Sequence, residues 1–304
     1  MDTDQLADNE VHIAFGICIP NFRAGTGPET MLAATQTAER LGWHSALATD
    51  HILADSAARA IDYRHIYEAL TSVAWLAGQT STIRLGMSVL VVPMRNALVM
   101  AKELATIDAL SNGRLIAGIG IGWNKTEFES VGEGDRFSHR GVWLEETVAL
   151  WRHLWAGGEG PYVGRFDSFT EGYFSPLPPQ GADLPIWIGA TAERALLRAG
   201  RIADGYHSTR TDPETMRERA RFVGEAAAAA GRPMPTVSAR LTIDFSGTRE
   251  GPSILAGTPE EMAAGVRAYA EAGTEHLALD FGEVDPDLAA KAIERFDREV
   301  IAAL

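Results

Sequence analysis

RLGMSVLVVPMRNALVMAKELATIDALSNGRLIAGIG, residues 84–120, reads as one β–α–β unit. Its first nine residues form a short apolar run rich in Leu and Val, the composition of a strand covered on both faces. Apolar helical pattern follows over 97–110, and Gly113 and Arg114 lead into a second run, Leu115–Gly120. Two such runs separated by a helix belong to a parallel sheet, because parallel strands need a crossover of about this length. The alternation continues outward in both directions. Further runs stand at 13–19 (IAFGICI), 45–49, 186–189 (IWIG), 204–207, 237–243 and 276–281, which brings the strands to eight. No break in composition divides them. Eight β–α units over residues 1–304 therefore predict one (β/α)8 TIM barrel forming a single domain, rather than a doubly wound sheet.

The helical segments carry their own punctuation. At 258–273, Thr258 is placed to cap, Pro259 takes the first helical position, Glu261 completes a capping box and Gly273 supplies a left-handed stop. Pro28–Gly42 repeats the logic, with Leu32, Thr35, Ala38 and Leu41 on one face. Over 138–155, Val142, Leu144, Val148, Trp151 and Trp155 form an aromatic-rich face that reads as barrel packing. The stretch 156–185, before strand 5, is too long for an ordinary connection and reads as a lid under which a substrate docks.

Formal net charge is -14, with acidic residues spread along the chain, so the basic stripe of a nucleic-acid partner is absent. The one cysteine, Cys18, sits in an apolar run and reads as a small buried hydrophobe. Met1–Glu10 is acidic and polar without a signal-like apolar core, and no run approaches membrane-spanning length. A cytoplasmic enzyme acting on a small molecule, with no membrane partner, is expected.

In a barrel the chemistry stands just after the strands. Asp50 and His51 follow strand 2 and read either as a turn cap or as an acid–base pair. Strand 4 runs into Gly118, Gly120, Gly122 and Trp123, where glycines let backbone approach a planar ligand or simply fit a crowded strand. Strand 5 ends in Gly189, Ala190 and Thr191 and opens into a helix, which suits either a phosphate or an ordinary tight turn. The sequence holds no HExxH, nucleophile elbow or Walker loop, which favours a site whose hard chemistry belongs to a cofactor.

The stretch Val92–Asn96, with Ala101, Lys102, Ala105–Ser111, Gly113, Arg114 and Gly118–Trp123, resembles the bacterial luciferase-like monooxygenase superfamily. A second signature runs from Leu184–Gly189 to Ala203–Tyr206. Within it the chain is most similar to the coenzyme F420 (deazaflavin)-dependent branch, which includes glucose-6-phosphate dehydrogenases, secondary alcohol dehydrogenases and methylene-tetrahydromethanopterin reductases. The resemblance implies hydride transfer between F420 and a small organic substrate, with FMN-dependent monooxygenation as the alternative. It implies an Asp50–His51 pair at the catalytic rim, a cis Ser88–Val89 peptide forming a bulge behind the cofactor's central ring, and a phosphate at Gly189–Thr191. It also implies a homodimer packed through helices near 63–79 and 97–110. Sugar-phosphate dehydrogenases of the branch carry a catalytic glutamate where this chain has Trp123, which argues against glucose 6-phosphate; Glu127, one turn further, reads as too distant to replace it. Two rivals remain open, a non-catalytic flavin-binding protein and a cofactor-free lyase or isomerase.

Overall fold

The computed structural model describes residues 12–54 and 63–304; the acidic segment Met1–Glu10 lies outside the described residues. In chain order the strands are β1 (Ala14–Cys18), β2 (Ser45–Ala48), β3 (Arg84–Met87) with its continuation β4 (Leu90–Val91), and β5 (Leu115–Gly120). The hairpin β6 (Tyr162–Val163) and β7 (Ser168–Phe169) follows, then β8 (Ile186–Gly189), β9 (Gly205–Ser208), β10 (Thr236–Asp244), β11 (Ile254–Ala256) and β12 (His276–Asp280). Eight of these pair in parallel around a closed ring, β1–β2–β3–β5–β8–β9–β10–β12. Closure comes from β12, where His276 stands opposite Ala14 on one side and Ser238 on the other. Each of the eight expected strands is present within a residue or two of its predicted limits. β11 adds to the edge of the long β10, and the short β4 resumes pairing with β5 beyond an interruption at Ser88 and Val89.

Helices form the outer layer for the reasons legible in their sequence. Pro259–Glu271 has Thr258 at its N-cap, and the full capping box with Glu261 is formed. Arg140–Trp155 buries Trp151 and Trp155, whose indole N–H groups donate to the carbonyls of Ala97 and Ala101 on the neighbouring helix. Val142, expected on that buried face, is instead 49% exposed. Side chains from the strands and the inner helix faces merge into one large apolar cluster.

The segment 156–185 departs from its expected role. Its β6–β7 hairpin hangs on Glu146, whose carboxylate accepts the backbone N–H groups of Arg165, Phe166 and Asp167. Ser175 is held by Lys102, and Gln180 by Asp108 and by the carbonyl of Leu115, the first residue of β5. These contacts lie on outer helices and at the N-terminal end of the strands. The physical reason is topological: a connection that follows a helix and enters a strand arrives at the end of the barrel opposite the mouth. It braces the barrel from outside and is not placed as a lid.

Candidate active site

Asn21, fully buried after β1, organises the mouth. Its amide donates to the carbonyls of Thr49 (2.8 Å) and Tyr67 (2.9 Å), and its oxygen accepts the Thr49 N–H (2.9 Å). The exit of β2 is thereby pinned, and with it the directions taken by Asp50 and His51.

Those two residues part company. Asp50 receives both guanidinium nitrogens of Arg95 at 2.8 Å and the Val91 N–H at 2.7 Å. The expected pairing of Asp50 with His51 is not formed, because consecutive side chains leaving a strand point to opposite sides. Asp50 instead anchors the β4 segment. The partner of His51 is Glu127, with Nδ1 to Oε2 at 3.0 Å. The second oxygen of Glu127 accepts the N–H groups of Ile52 (2.7 Å) and Leu53 (3.1 Å). Burial of Glu127 pushes its carboxyl upward, but the hydrogen bond from His51 and those from Ile52 and Leu53 outweigh it and hold the group below the ordinary carboxylate range. A carboxylate can only accept, so Nδ1 carries the proton of this bond, and Nε2 has no hydrogen-bond partner among the described residues.

Aromatic rings flank this imidazole. Tyr63 lies 4.4 Å away between ring centroids, and Trp123 lies 5.6 Å away at 66°. Trp123 is 49% exposed. The sequence did not mark Glu127 as the partner of His51. The short helix Lys125–Ser130 turns its first turn back toward the β2 exit and delivers the carboxylate to the histidine.

Directly after β3, the strand next to β2, the Ser88–Val89 peptide is cis, as the resemblance implies. Val89 accounts for two of the glycines singled out from sequence. A Cβ on Gly120 would stand 2.6 Å from Val89 Cγ2, and one on Gly189 would stand 3.1 Å from both Val89 methyls. Gly122 has φ +71°, and a Cβ there would meet Val91 and Phe128 at 2.6 and 2.9 Å. These glycines make room for the chain's own side chains, the crowded-strand alternative of the sequence reading.

Gly189–Thr191 does open into a helix, Glu193–Ile202. Ala192 occupies its N-cap and supplies no capping side chain, whereas six other helices among the described residues are side-chain capped. The N–H of buried Ala190 makes a long bond (3.4 Å) to the His207 carbonyl, and Thr191 is exposed.

One cluster carried no sequence signal. Arg240 of β10 reaches Asp280 on the neighbouring β12 (3.0 Å) and the Thr49 hydroxyl beyond β2 (2.9 Å), and Arg23 forks onto the same Asp280 at 3.0 and 2.9 Å. Burial pushes Asp280 up, yet the two guanidinium groups hold it far below its usual range. Cys18 beside them is pushed up to about 12 by burial, so its thiol stays protonated, in line with the inert role expected.

Residues 13–250 match the luciferase-like monooxygenase family. An F420-dependent glucose-6-phosphate dehydrogenase of Nocardia farcinica is 31% identical over 229 residues, covering 72% of this chain and 65% of that protein. Among solved structures, the coenzyme F420-dependent tetrahydromethanopterin reductase from Methanopyrus kandleri superposes with a TM-score of 0.81 at 20% identity, over 96% of this chain and 99% of that one. The oxygenating constituent of 3,6-diketocamphane monooxygenase from Pseudomonas putida, in complex with FMN, does so at 0.80 with 14% identity, over 96% and 99%. The match over residues 13–250, on a closed eight-stranded parallel barrel, places this chain in the luciferase-like monooxygenase family.

Proposed function

We propose that the protein is an oxidoreductase that transfers hydride between coenzyme F420 and a small organic substrate, with His51 moving the accompanying proton. The observation that carries this is the His51–Glu127 pair at the barrel mouth, an imidazole oriented through Nδ1, with no hydrogen-bond partner for Nε2 among the described residues, beside an aromatic rim. The similarity to F420-dependent dehydrogenases supports the choice of cofactor.

The residues at hand fit such a group. The uncapped helix start at Thr191–Glu193 presents backbone N–H groups for its phosphate, and Ser88 and Val89 wall the side of the mouth against which its ring system would rest. When bound, the deazaflavin supplies the hydride acceptor or donor. His51 gives or takes a proton at Nε2, Glu127 fixes its tautomer, and Asp50 with Arg95 holds the β2 exit rigid so that this geometry persists. Trp123 and Tyr63 narrow the mouth around the reacting atoms and exclude water.

The test is a fluorescence titration of the purified protein with F420 and with FMN, followed by a screen of alcohols and carbonyl compounds against the cofactor that binds. Tight binding of F420 and its reduction by an alcohol are expected. Exclusive binding of FMN with oxygen consumption would move the assignment to monooxygenation, and cofactor binding without any turnover would leave a carrier. We further propose a cytoplasmic homodimer formed through the helices Ala69–Ala77 and Ala97–Leu110, which leave Trp75, Leu98, Val99 and Leu110 exposed. Light scattering that finds only monomer at micromolar concentration would remove the dimer.

A further inference from the structure

The lumen beneath the mouth holds a feature that the hydride-transfer site does not use. TIM-barrel interiors are ordinarily packed with branched apolar side chains. Here Ser88, His207, Ser238, His276 and Ser45 form one unbroken hydrogen-bonded chain. Ser88 Oγ meets His207 Nε2, His207 Nδ1 meets Ser238 Oγ, Ser238 Oγ meets His276 Nδ1, and His276 Nε2 meets Ser45 Oγ, each at 2.8 Å. The chain runs from the residue that opens the bulge at the mouth to the first residue of β2 at the closed end. Strand register sets two of its links, since His207 stands opposite Ser238 and Ser238 opposite His276. Gly16 permits the last link: β1 lies between β2 and β12, and a Cβ on Gly16 would sit 2.3 Å from Ser45 Oγ and 2.9 Å from His276 Nε2. Trp187 lies against both imidazoles, at 5.1 Å from His276 and 6.4 Å from His207 between centroids.

Both histidines are fully buried and held neutral, His207 at about 3, mainly by burial and then by Arg240, and His276 mainly by burial. A neutral imidazole donates from one nitrogen and accepts at the other, and a hydroxyl has a single proton to give. Ser238 stands between two Nδ1 atoms and can donate to only one of them. The alternative, in which both imidazoles donate into Ser238, leaves its own proton with no acceptor among the described residues. The two histidines must therefore carry their protons on opposite nitrogens.

The ends decide the direction. Ser45 is completely buried, and His276 is its one side-chain partner among the described residues, so its proton goes to His276 Nε2; a buried donor left unpaired is costly. The rest follows in order: His276 donates from Nδ1 to Ser238, Ser238 donates to His207 Nδ1, and His207 donates from Nε2 to Ser88. Ser88, 6% exposed where Ser45 is wholly enclosed, then accepts from below, and its own proton has no acceptor among the described residues, which leaves it for a group bound at the mouth.

We propose that this five-residue chain fixes the Ser88 hydroxyl as a hydrogen-bond donor directed to the barrel mouth, and that Ser88 so oriented is a positioning residue for the ring system bound there. Reversing the chain would shift every proton by one link, one proton leaving at Ser88 for each that enters at Ser45. The donor role rests on the function proposed above; the polarity of the chain does not.

Nitrogen-15 NMR of histidine-labelled, cofactor-free protein tests the polarity directly. His276 is expected as the Nδ1–H tautomer and His207 as the Nε2–H tautomer, assigned by loss of each signal in His207→Gln and His276→Gln. Equal tautomers, or the inverse pair, would overturn the proposal without any functional variant being needed. Ser45→Ala, which does not touch His207, is expected to mix that residue's tautomers; an unmoved His207 signal in a folded variant would show that the links are independent. Ser88→Ala is expected to weaken F420 binding about fivefold, the worth of one neutral hydrogen bond. Unchanged affinity would end the donor role while the tautomers stood, and failure of wild-type protein to bind F420 or FMN would end the functional assignment and the donor role together.

Discussion

Replacing Glu127 with glutamine keeps the side chain's size and removes its charge, and the structure dictates how the new amide must sit. One carboxylate oxygen accepts two backbone N–H groups, from Ile52 at 2.7 Å and Leu53 at 3.1 Å. Only an oxygen can stand there, so the amide nitrogen is forced into the position that now faces His51 Nδ1 at 3.0 Å. An amide nitrogen can only donate, and Nδ1 must become an acceptor. The proton of neutral His51 moves to Nε2, which has no hydrogen-bond partner among the described residues. General acid–base catalysis contributes roughly 10²–10⁴-fold, so turnover in Glu127→Gln should fall by about 100-fold or more while the affinity for F420 changes little. Single-turnover reduction of F420, followed by its absorbance, reads the rate, and histidine NMR reads the tautomer. An unchanged rate together with an inverted tautomer would refute the role given to His51; an unchanged tautomer would refute the geometric argument itself. Acid stability supplies a second reading of the same carboxylate. Because folding lowers the value for Glu127, its contribution is complete above the unfolded value, near pH ~4.3, and is lost as pH falls through the folded one. The stability gap between wild type and Glu127→Gln should therefore close on acidification.

The other expectations are simpler. His51→Asn should lower turnover by ~100-fold with cofactor affinity retained, and collapse of affinity with a surviving rate at saturation would make His51 a binding residue. Asp50→Ala strands the Arg95 guanidinium and the Val91 N–H and should cost about 3 kcal/mol in denaturant unfolding, yet leave the His51 tautomer as it is. Ala190→Asp should weaken cofactor binding tenfold or more in a fluorescence titration, and unchanged affinity would place the phosphate elsewhere. Gly120→Ala would drive a Cβ to 2.6 Å from Val89 and should destabilise the barrel by about 1–3 kcal/mol in a melting experiment.

The barrel was legible because each of its strands is nearly continuous in apolar residues and each helix carries local punctuation. Thr258, Pro259 and Glu261 announce a helix start with no help from the rest of the chain. The role of residues 156–185 was not legible in that way. Length and composition mark an unusual connection, but which end of the barrel it serves follows only from counting whether it precedes a strand or follows one. The glycines show a related limit. Gly120 and Gly189 belong to different strands, 69 residues apart in sequence, and share one reason for being glycine, the side chain of Val89. Nothing local to either position states it.

Glu127 shows the same limit at the site itself. It stands at the third position of a helix capped by Asn124, where the usual use of a glutamate is to reach back to the N-cap N–H and close a capping box. Read locally, it has a sufficient structural purpose, and its four-residue offset from Trp123 makes it a poor substitute for the family's glutamate. In the fold the carboxylate takes a different set of donors, the N–H groups of Ile52 and Leu53 and the imidazole of His51, because Asn21 has fixed the β2 exit within its reach. The His51–Glu127 pair is thus assembled by a residue at a capping position diverted to a neighbouring loop. The histidine itself was visible from its strand-end position, while its partner depended on where that loop was tied. Had Asp50 been the partner, the pair would have moved with one loop. With Glu127 it bridges the exits of β2 and β5, so shifting either loop changes the proton inventory of His51 as well as its position.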